Sequence, residues 1–333
     1  MKGRIKQGLQ IAFFFALGIG FIWWFASKLS DNEVAELFLS LRKANYFWII
    51  VAFVISVSSC FVRALRWRQL LTPIGYGKVS LGRLFFAVMS GYLTNLAVPR
   101  LGEVVRCAML KKSDDVPVQK TLGTVITERL IDLLLFGIIL LIAFFVAFDV
   151  VSDYIKANTD AAMFDKITTM AYIAVVIAAL GVIFFAFVRR KSSKNKILSK
   201  INAVLLDLWQ GIKSILHLKK PLVFVFYSFL IWGLWIGGTY AVFQGIETTS
   251  HLSITTSLVV TILSAFGPMI TPGGIGLYPA IFAETLAVYS IAKPIGYAAG
   301  WLSWLVSQVA SAVFGLWGFV YFSQKHKTSE QNH

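Results

Sequence analysis

Long apolar stretches, cut by short polar or basic segments, set the pattern of this chain. Apolar runs occupy Leu9–Phe25, Tyr46–Val62, Ile126–Phe148, Ala171–Val188, Pro221–Phe243 and Tyr297–Phe322. Each is near the roughly 20 residues that a helix needs to cross the hydrocarbon core of a bilayer. Two further apolar regions are interrupted in the middle. In the first, Leu84–Val98 and Leu101–Leu110 flank Pro99 and Arg100, with Gly102 and Glu103 directly after; in the second, residues 252–292 contain Thr271-Pro272-Gly273-Gly274-Ile275-Gly276. Pro and Gly let a helix break at membrane depth and leave backbone groups free to meet a ligand. The pattern predicts an all-α polytopic membrane protein with about six full spans and two re-entrant helical hairpins.

Charge orients these elements. Lys2, Arg4 and Lys6 precede the first run, Trp23 and Trp24 lie at its far end, and no Ala-x-Ala cleavage site follows. This reads as an uncleaved first span with a cytoplasmic N-terminus. The segments 63–83 and 111–120 are both basic, so residues 84–110 cross an even number of times. At 1.5 Å per residue neither limb spans comfortably, which favours a hairpin entered from inside with its tip at Pro99–Gly102. The loop after Phe148 carries Asp149, Asp153, Asp160 and Asp165 and suits the outside, whereas 189–220 is strongly basic. Within that basic segment, Ile197, Ile201, Val204, Leu208 and Ile215 repeat at helical spacing. They predict an amphipathic helix at about 195–217, lying on the inner leaflet or on the protein's own rim. Lys325 and Lys327 put the C-terminus inside, so 252–292 forms a second hairpin, entered from outside, with its tip at Thr271–Gly276.

Two halves, 46–148 and 221–322, then run span, hairpin, span in the same order and in opposite orientation. This is the inverted-topology repeat of secondary transporters. The domain reading is one transmembrane domain over 1–324, followed by a cytoplasmic tail, 325–333. Composition agrees with the class: 57% of residues are hydrophobic and 14% charged, well below the one-quarter charged that is usual in soluble proteins. The net charge of +15 is explained by cytoplasmic Lys and Arg facing anionic lipid rather than by nucleic acid. The expected location is a bacterial-type cytoplasmic (inner) membrane. Cys60 and Cys107 suggest no disulfide, and His217, His251, His326 and His333 form no metal-ligand pattern.

Four patches carry candidate chemistry. Arg63, Arg66, Trp67 and Arg68 stand at the inner end of the second span, where basic residues are also ordinary topology determinants. Arg100, Glu103 and Arg106 follow the first break, with Glu103 and Arg106 one turn apart and able to pair. Glu128 and Asp132 share a helix face, and Arg129 can reach Asp132. Thr271, Pro272, Gly273, Gly274 and Gly276 can expose backbone N–H groups to an anion, or serve only as a tight turn. No catalytic machinery stands out. Gly77-Lys78 lacks the rest of a P-loop, and there is no GxSxG elbow or HExxH helix. The acids sit beside arginines, so ion pairing is their expected job; neither enzyme activity nor a cofactor is expected.

Asn95, Pro99, Arg100, Gly102, Glu103 and Arg106, then Glu128-Arg129 with Asp132, then Thr271-Pro272-Gly273-Gly274-Ile275-Gly276, resemble the membrane region of the lysylphosphatidylglycerol synthase/flippase family. Arg63, Arg66 and Trp67 look like the family too, and the resemblance runs over nearly the whole chain in consistent order. It implies the flipping of anionic or aminoacylated lipids between leaflets. Some members carry a further soluble aminoacyl-transferase domain; here only a short tail follows Phe322, so the translocating part alone is implied. The chain departs from the family after the Gly-Gly-x-Gly tip. An acidic residue is often found there, but Leu277-Tyr278-Pro279 follow and Glu284 comes only later.

The expected function is therefore translocation of a lipid with an anionic, phosphate-bearing headgroup, either phospholipid or polyprenyl-phosphate linked. Arg100 and Arg106, joined by Arg63 and Arg129, would hold the phosphate, because guanidinium groups suit bidentate phosphate contacts. Glu103, Glu128 and Asp132 would keep the empty site near neutral, with Arg66 and the Thr271–Gly276 tip completing it. The alternatives are a transporter of a soluble anion and a non-catalytic membrane subunit for a separate lipid-modifying enzyme. Membrane lipids are the expected partners, with such an enzyme or a second copy of the chain left open. The topology makes a direct prediction. Cysteines introduced at 73–78, 113–118 and 193–196 label only from the cytoplasm, and those at 155–160 and 247–250 only from outside. Labelling of 113–118 from outside would remove both the inner hairpin and the repeat.

Overall fold

The computed structural model describes residues 29–158 and 218–330, with isolated positions between 16 and 27. The chain forms two compact units, residues 1–146 with 218–333 and residues 147–217; of the second, only 147–158 are among the described residues. The predicted spans Leu9–Phe25 and Ala171–Val188 and the amphipathic helix at 195–217 lie outside the described residues, save scattered positions of the first.

Among the described residues every regular element is helical. In chain order the α-helices are α1 (Asp31–Lys43), α2 (Tyr46–Leu71), α3 (Leu81–Ala97), α4 (Leu101–Asp114), α5 (Val118–Asn158), α6 (Pro221–Gly245), α7 (Ile254–Ser264), α8 (Gly267–Ile270), α9 (Leu277–Val288) and α10 (Lys293–Glu330), with short 3-10 turns at Glu247–Thr249 and Pro272–Gly274. Among the described residues, four stretches are long and apolar enough to cross a membrane: α2, α6, Val118–Tyr154 within α5 and Lys293–Ser323 within α10. Two shorter apolar stretches, Ile254–Ile270 and Leu277–Val288, flank the second sequence break, and α3 and α4 flank the first.

Local chemistry accounts for where these helices start and stop. Ser30 caps α1 through a reciprocal box: its hydroxyl accepts from the Glu33 N–H while its own N–H donates to the Glu33 carboxylate at 2.8 Å. These bonds hold the Glu33 carboxyl below the ordinary range. Asn45 caps α2, Ser80 caps α3 and Ser253 caps α7 by the same side-chain acceptance. At the first break Val98 is extended, Pro99 has no N–H to give, and Arg100 adopts a left-handed φ of 66° before α4 begins. Two element boundaries differ from the sequence reading. The second span does not end at Val62; α2 runs on for nine residues to Leu71, through three arginines. The third apolar run, Ile126–Phe148, lies inside a helix of 41 residues, α5, rather than filling one. Arg63 and Arg66 on α2, and Glu128, Arg129 and Asp132 on α5, are taken up by ion-pair partners, so they do not mark a helix end.

Among the described residues, packing gathers mainly around two large apolar clusters. Trp67, Leu71, Leu84, Met89 and Leu110 join α2, α3 and α4, and Ala52, Phe243, Val260, Phe282 and Leu286 join α2, α6, α7 and α9. Lipid tails are as apolar as leucine, so close packing and hydrogen bonds, rather than escape from water, hold such helices together. Small residues permit the closest approaches. Gly102, at the start of α4, faces the Gly91 carbonyl and the Asn95 side chain of α3, and its own N–H donates to Asn95 Oδ1 at 2.7 Å. On α10, Gly315 lies against Leu93 and Met89 of α3, and its carbonyl accepts from Ser90 Oγ at 3.0 Å.

The α3–α4 contact supplies a stability test. A methyl at Gly102 has nowhere to go, so Gly102→Ala should cost about 1–3 kcal/mol through overpacking. Gly82→Ala, which meets nothing, should leave the melting temperature of the detergent-purified protein unchanged. Equal melting of the two variants would show that the hairpin limbs do not pack this tightly.

Candidate functional site

Three helices bring the charged residues together. Arg63 and Arg66 come from α2, Arg106 from α4, and Glu128 and Asp132 from α5. Arg63 Nη1 donates to Glu128 Oε1 at 2.7 Å and to Asp132 Oδ2 at 3.1 Å. Arg66 Nη2 donates to Glu128 Oε1 at 3.2 Å, and its Nη1 lies 2.7 Å from Asp132 Oδ1. The i, i+4 spacing of the two carboxylates sets them one above the other against the two guanidinium groups. Arg63, Arg66, Arg106 and Glu128 are all buried, Arg66 and Glu128 completely.

Aromatic and hydroxyl groups line the rest of the cluster. Arg106 lies 4.6 Å from the Trp67 ring centroid, Arg63 stands over Tyr92 and Trp235, and Arg66 over Phe224. Ring faces attract cations, most strongly where water is excluded. Trp67 is fixed in turn by its indole N–H, which donates to Thr124 Oγ1 at 2.9 Å. Arg66 also donates to Ser228 Oγ at 3.2 Å.

Arg106 is the guanidinium least consumed by its partners. Its Nη1 lies 3.2 Å from Glu128 Oε2 without forming a hydrogen bond, and its Nη2 is buried with no hydrogen-bond partner among the described residues. Beside it is a small pocket lined by Arg63, Gly91, Tyr92, Asn95, Glu103, Arg106 and Arg129, among others. Its volume of about 10 Å³ admits about one water. Arg129, 43% exposed, pairs at 2.7 Å with Glu103, whose other carboxylate oxygen is buried without a hydrogen bond.

These positions revise the pairings read from spacing. Glu103 pairs with Arg129, not with Arg106, because α4 and α5 meet here and an inter-helix partner is nearer than the one a turn away. Asp132 is taken by Arg63 and Arg66, so Arg129 does not reach it. Arg100, expected beside Arg106, is exposed at the left-handed turn and has no ion-pair partner among the described residues. Glu284 lies on the surface of α9, paired with Lys293 at 2.8 Å, away from any buried role after the glycine-rich tip. Thr271, Pro272, Gly273, Gly274 and Gly276 form a turn around Pro272–Gly274 in which all three glycines have positive φ. Gly273 packs on Leu96 of α3, next to pocket-lining Asn95, and its carbonyl accepts from Trp304 Nε1 at 2.7 Å. The sequence reading passed over Tyr92, Phe224, Ser228 and Trp235. Ser228 and Trp235 sit in an apolar run with no charge beside them, and only the fold brings them to the arginines.

Removing one partner of a buried ion pair leaves the others uncompensated. Glu128→Ala, which leaves Arg106 without an acid and Arg63 and Arg66 sharing Asp132, should therefore lose on the order of 3–5 kcal/mol of stability. Glu103→Ala should lose less than about 1 kcal/mol, because its cation is half exposed. Thermal melts of both variants, matched for detergent, decide this; equal losses would mean the cluster is open to water.

Comparison with known proteins places the chain. The family model described as the lysylphosphatidylglycerol synthase TM region matches residues 9–315. Among curated proteins, the chain is 20% identical to a UPF0104 membrane protein of Methanocaldococcus jannaschii, over 95% of both chains. It is 22% identical to another of Pyrococcus horikoshii, over 91% of this chain and 93% of that one. It is also 26% identical to the glycosyltransferase AglD of Haloferax volcanii, over 79% of this chain but only 46% of AglD. No solved structure gives a significant match. The chain is an integral membrane protein and belongs to the lysylphosphatidylglycerol synthase TM region family.

Proposed function

We propose that this protein translocates a lipid with an anionic, phosphate-bearing headgroup across a cytoplasmic membrane, without itself catalysing a covalent step. The carrying observation is the Arg106 guanidinium, buried beside a pocket at a helix break and holding an unused donor. Arg forms planar, bidentate contacts to phosphate, and a donor already stripped of water gains most from such a partner. Arg63 and Arg66 hold Glu128 and Asp132 in place, and Arg129 with Glu103 guards the pocket mouth. Leu101 and Val104 of α4 and Ile126 and Leu133 of α5 are exposed on the two helices that carry this mouth-guarding pair. Apolar flanks suit an opening sideways to lipid, with acyl chains left in the bilayer, better than a pore for a soluble anion.

The topology belongs to the same proposal: six spans, two re-entrant hairpins, both termini inside, and one transmembrane domain over 1–324. The packing supports an inverted repeat. α2 packs on α3 as α6 packs on α7, the limbs α3 and α4 pack together as α7 and α9 do, and α2 packs on α6, its own counterpart. The contact of Gly273 with Leu96 supports hairpin tips that meet and gate alternate sides.

A second reading draws on AglD. A match to less than half of a protein named a glycosyltransferase is consistent with a non-catalytic membrane subunit for a separate lipid-modifying enzyme. Stable co-purification with such an enzyme, together with no lipid exchange by the chain alone, would favour it.

Leaflet exchange of short-chain fluorescent anionic lipids in proteoliposomes tests the main reading. Arg106→Gln should slow exchange by about tenfold or more, the scale of one charge-assisted hydrogen bond. Arg106→Lys, which keeps the charge and loses the planar fork, should fall between. The surface variant Lys293→Gln should match the wild type. Unchanged exchange in a folded Arg106→Gln protein would remove this arginine from the site.

A further inference from the structure

Residues 221–322 have a polar centre of their own, built of hydroxyls. Thr261 of α7 donates to Thr239 Oγ1 of α6 at 2.8 Å, and the Tyr278 hydroxyl of α9 lies 2.9 Å from Ser303 Oγ of α10. Tyr278 also has Thr239 as a hydrogen-bond partner, so four hydroxyls from four helices form one chain. Ser303 lies ten residues into α10 as Glu128 lies ten into α5, and Thr239 lies eighteen into α6 as Arg63 lies seventeen into α2. On the inverted repeat proposed above, the hydroxyls stand where the first half has its ion pairs.

Ser264 directs an unused oxygen toward this chain. It is wholly buried, and its Oγ has no hydrogen-bond partner among the described residues. Thr261, Ser264 and Gly267 follow at three-residue steps and share a face. On that face Thr261 reaches Thr239, and Gly267 lies against the Tyr278 backbone. Ser264, between them, is therefore aimed at the junction of Thr239 and Tyr278. The first limb of the second hairpin, α7, also ends here, with Ala265 as its C-cap. Pro268 has no N–H to continue the helical ladder to the Ser264 carbonyl. Carbonyls at a helix C-terminus carry partial negative charge and favour a cation.

Hardness, charge and size narrow the cation. Hydroxyl and carbonyl oxygens are hard ligands, better suited to alkali and alkaline-earth ions than to soft transition metals. No Asp or Glu is among these five residues, so a divalent ion would keep both charges uncompensated in a buried site. A monovalent ion keeps one, beside the negative end of α7. Ser and Thr hydroxyls can turn their protons to the carbonyl four residues back, which frees lone pairs for an ion. The bonded oxygens stand 2.8 and 2.9 Å apart, so a small ion parts them least.

We propose that Thr239, Thr261, Ser264, Tyr278 and Ser303 form a binding site for a monovalent cation of sodium size. The ion ties α7 and α9, the limbs of the second hairpin, to α6 and α10. Trp304, next to Ser303, donates to the Gly273 carbonyl at the hairpin tip, so occupancy of the site bears on the setting of that tip. Binding stands apart from the transport proposal; use of the ion's gradient to drive lipid movement rests on it.

The test uses the purified full-length protein in detergent, with sodium chloride exchanged for potassium or choline chloride at constant ionic strength. Sodium should raise the melting temperature saturably, by about 2–4 °C, potassium less and choline not at all. Ser264→Ala removes an oxygen that no protein group uses, so the variant should fold normally. It should need about tenfold more sodium for the same rise. Thr261→Val should weaken the response likewise, while Ser250→Ala, at an exposed position, should keep it. Equal melting in the three salts would overturn the site, as would a wild-type sodium response in both Ser264→Ala and Thr261→Val. Leaflet exchange of anionic lipid, measured with and without a sodium gradient, separates this site from the transport proposal. A sodium response without exchange would uphold the cation site and defeat transport. Exchange without any sodium response would do the reverse.

Discussion

Ionised groups held out of water must be neutralised where they stand, and this requirement fixes the centre of the molecule. Arg63 and Arg66 on α2 cannot remain in an apolar helix packing without acids opposite, and Glu128 and Asp132 on α5 cannot remain there without bases. Each set makes the other tolerable. The ion pairs therefore decide which faces of α2 and α5 meet, and Arg106 brings α4 into the same contact. Apolar packing around Trp67, Leu84 and Leu110 can then close without choosing among many nearly equivalent arrangements of leucine on leucine. Buried polar networks stake much on geometry, since a half-satisfied one is worse than none. Here the deficit is confined to Arg106 Nη2, Arg66 Nε, Glu128 Oε2 and Glu103 Oε2 among the cluster's described atoms.

That confinement has a functional sense. A fully satisfied cluster would be a structural lock and nothing more. On the transport proposal, a cluster with an unused donor and an unused acceptor among the residues lining one pocket is prepared for a guest, and it carries the cost of waiting. The neighbouring Gly91–Gly102 contact keeps the break in the α3–α4 hairpin tight, so that the waiting groups are held by backbone rather than by long side chains alone. Fixed polar groups aimed at the place where charge arrives need little rearrangement when it comes.

Much of the fold was legible in the chain because bilayers simplify the code. Apolar runs near the length of the hydrocarbon core announce helices, and Pro99 and the Pro272-Gly273-Gly274 turn announce breaks; both breaks fall where the sequence puts them. Element ends were less legible. Arg63 looks like the close of a span when its sequence neighbours alone are weighed, yet α2 continues past it, since acids 65 and 69 residues away neutralise it. The same limit explains the candidate site. Spacing along one helix suggested partners a turn apart for Glu103 and Arg129, while the folded chain pairs them with each other across 26 residues. Ser228 and Trp235 carry no local signal at all; their roles exist only through contact with arginines from another helix.

The placement of Glu128, Arg129 and Asp132 on one continuous helix has a consequence for rotational register. Successive residues on a helix point about 100° apart, so the face that shows two carboxylates to α2 lies next to one that shows a guanidinium. Deleting a single residue earlier in α5 would turn the downstream rod by that angle and bring Arg129 toward the place of Glu128. Arg63, Arg66 and Arg106 would then confront a fourth guanidinium where they now meet a carboxylate. The sign of the charges thus acts as a key for the angular setting of the longest described helix. Changes in length between Val118 and Glu128 are permitted only in steps that restore the same face, which is to say by about whole turns.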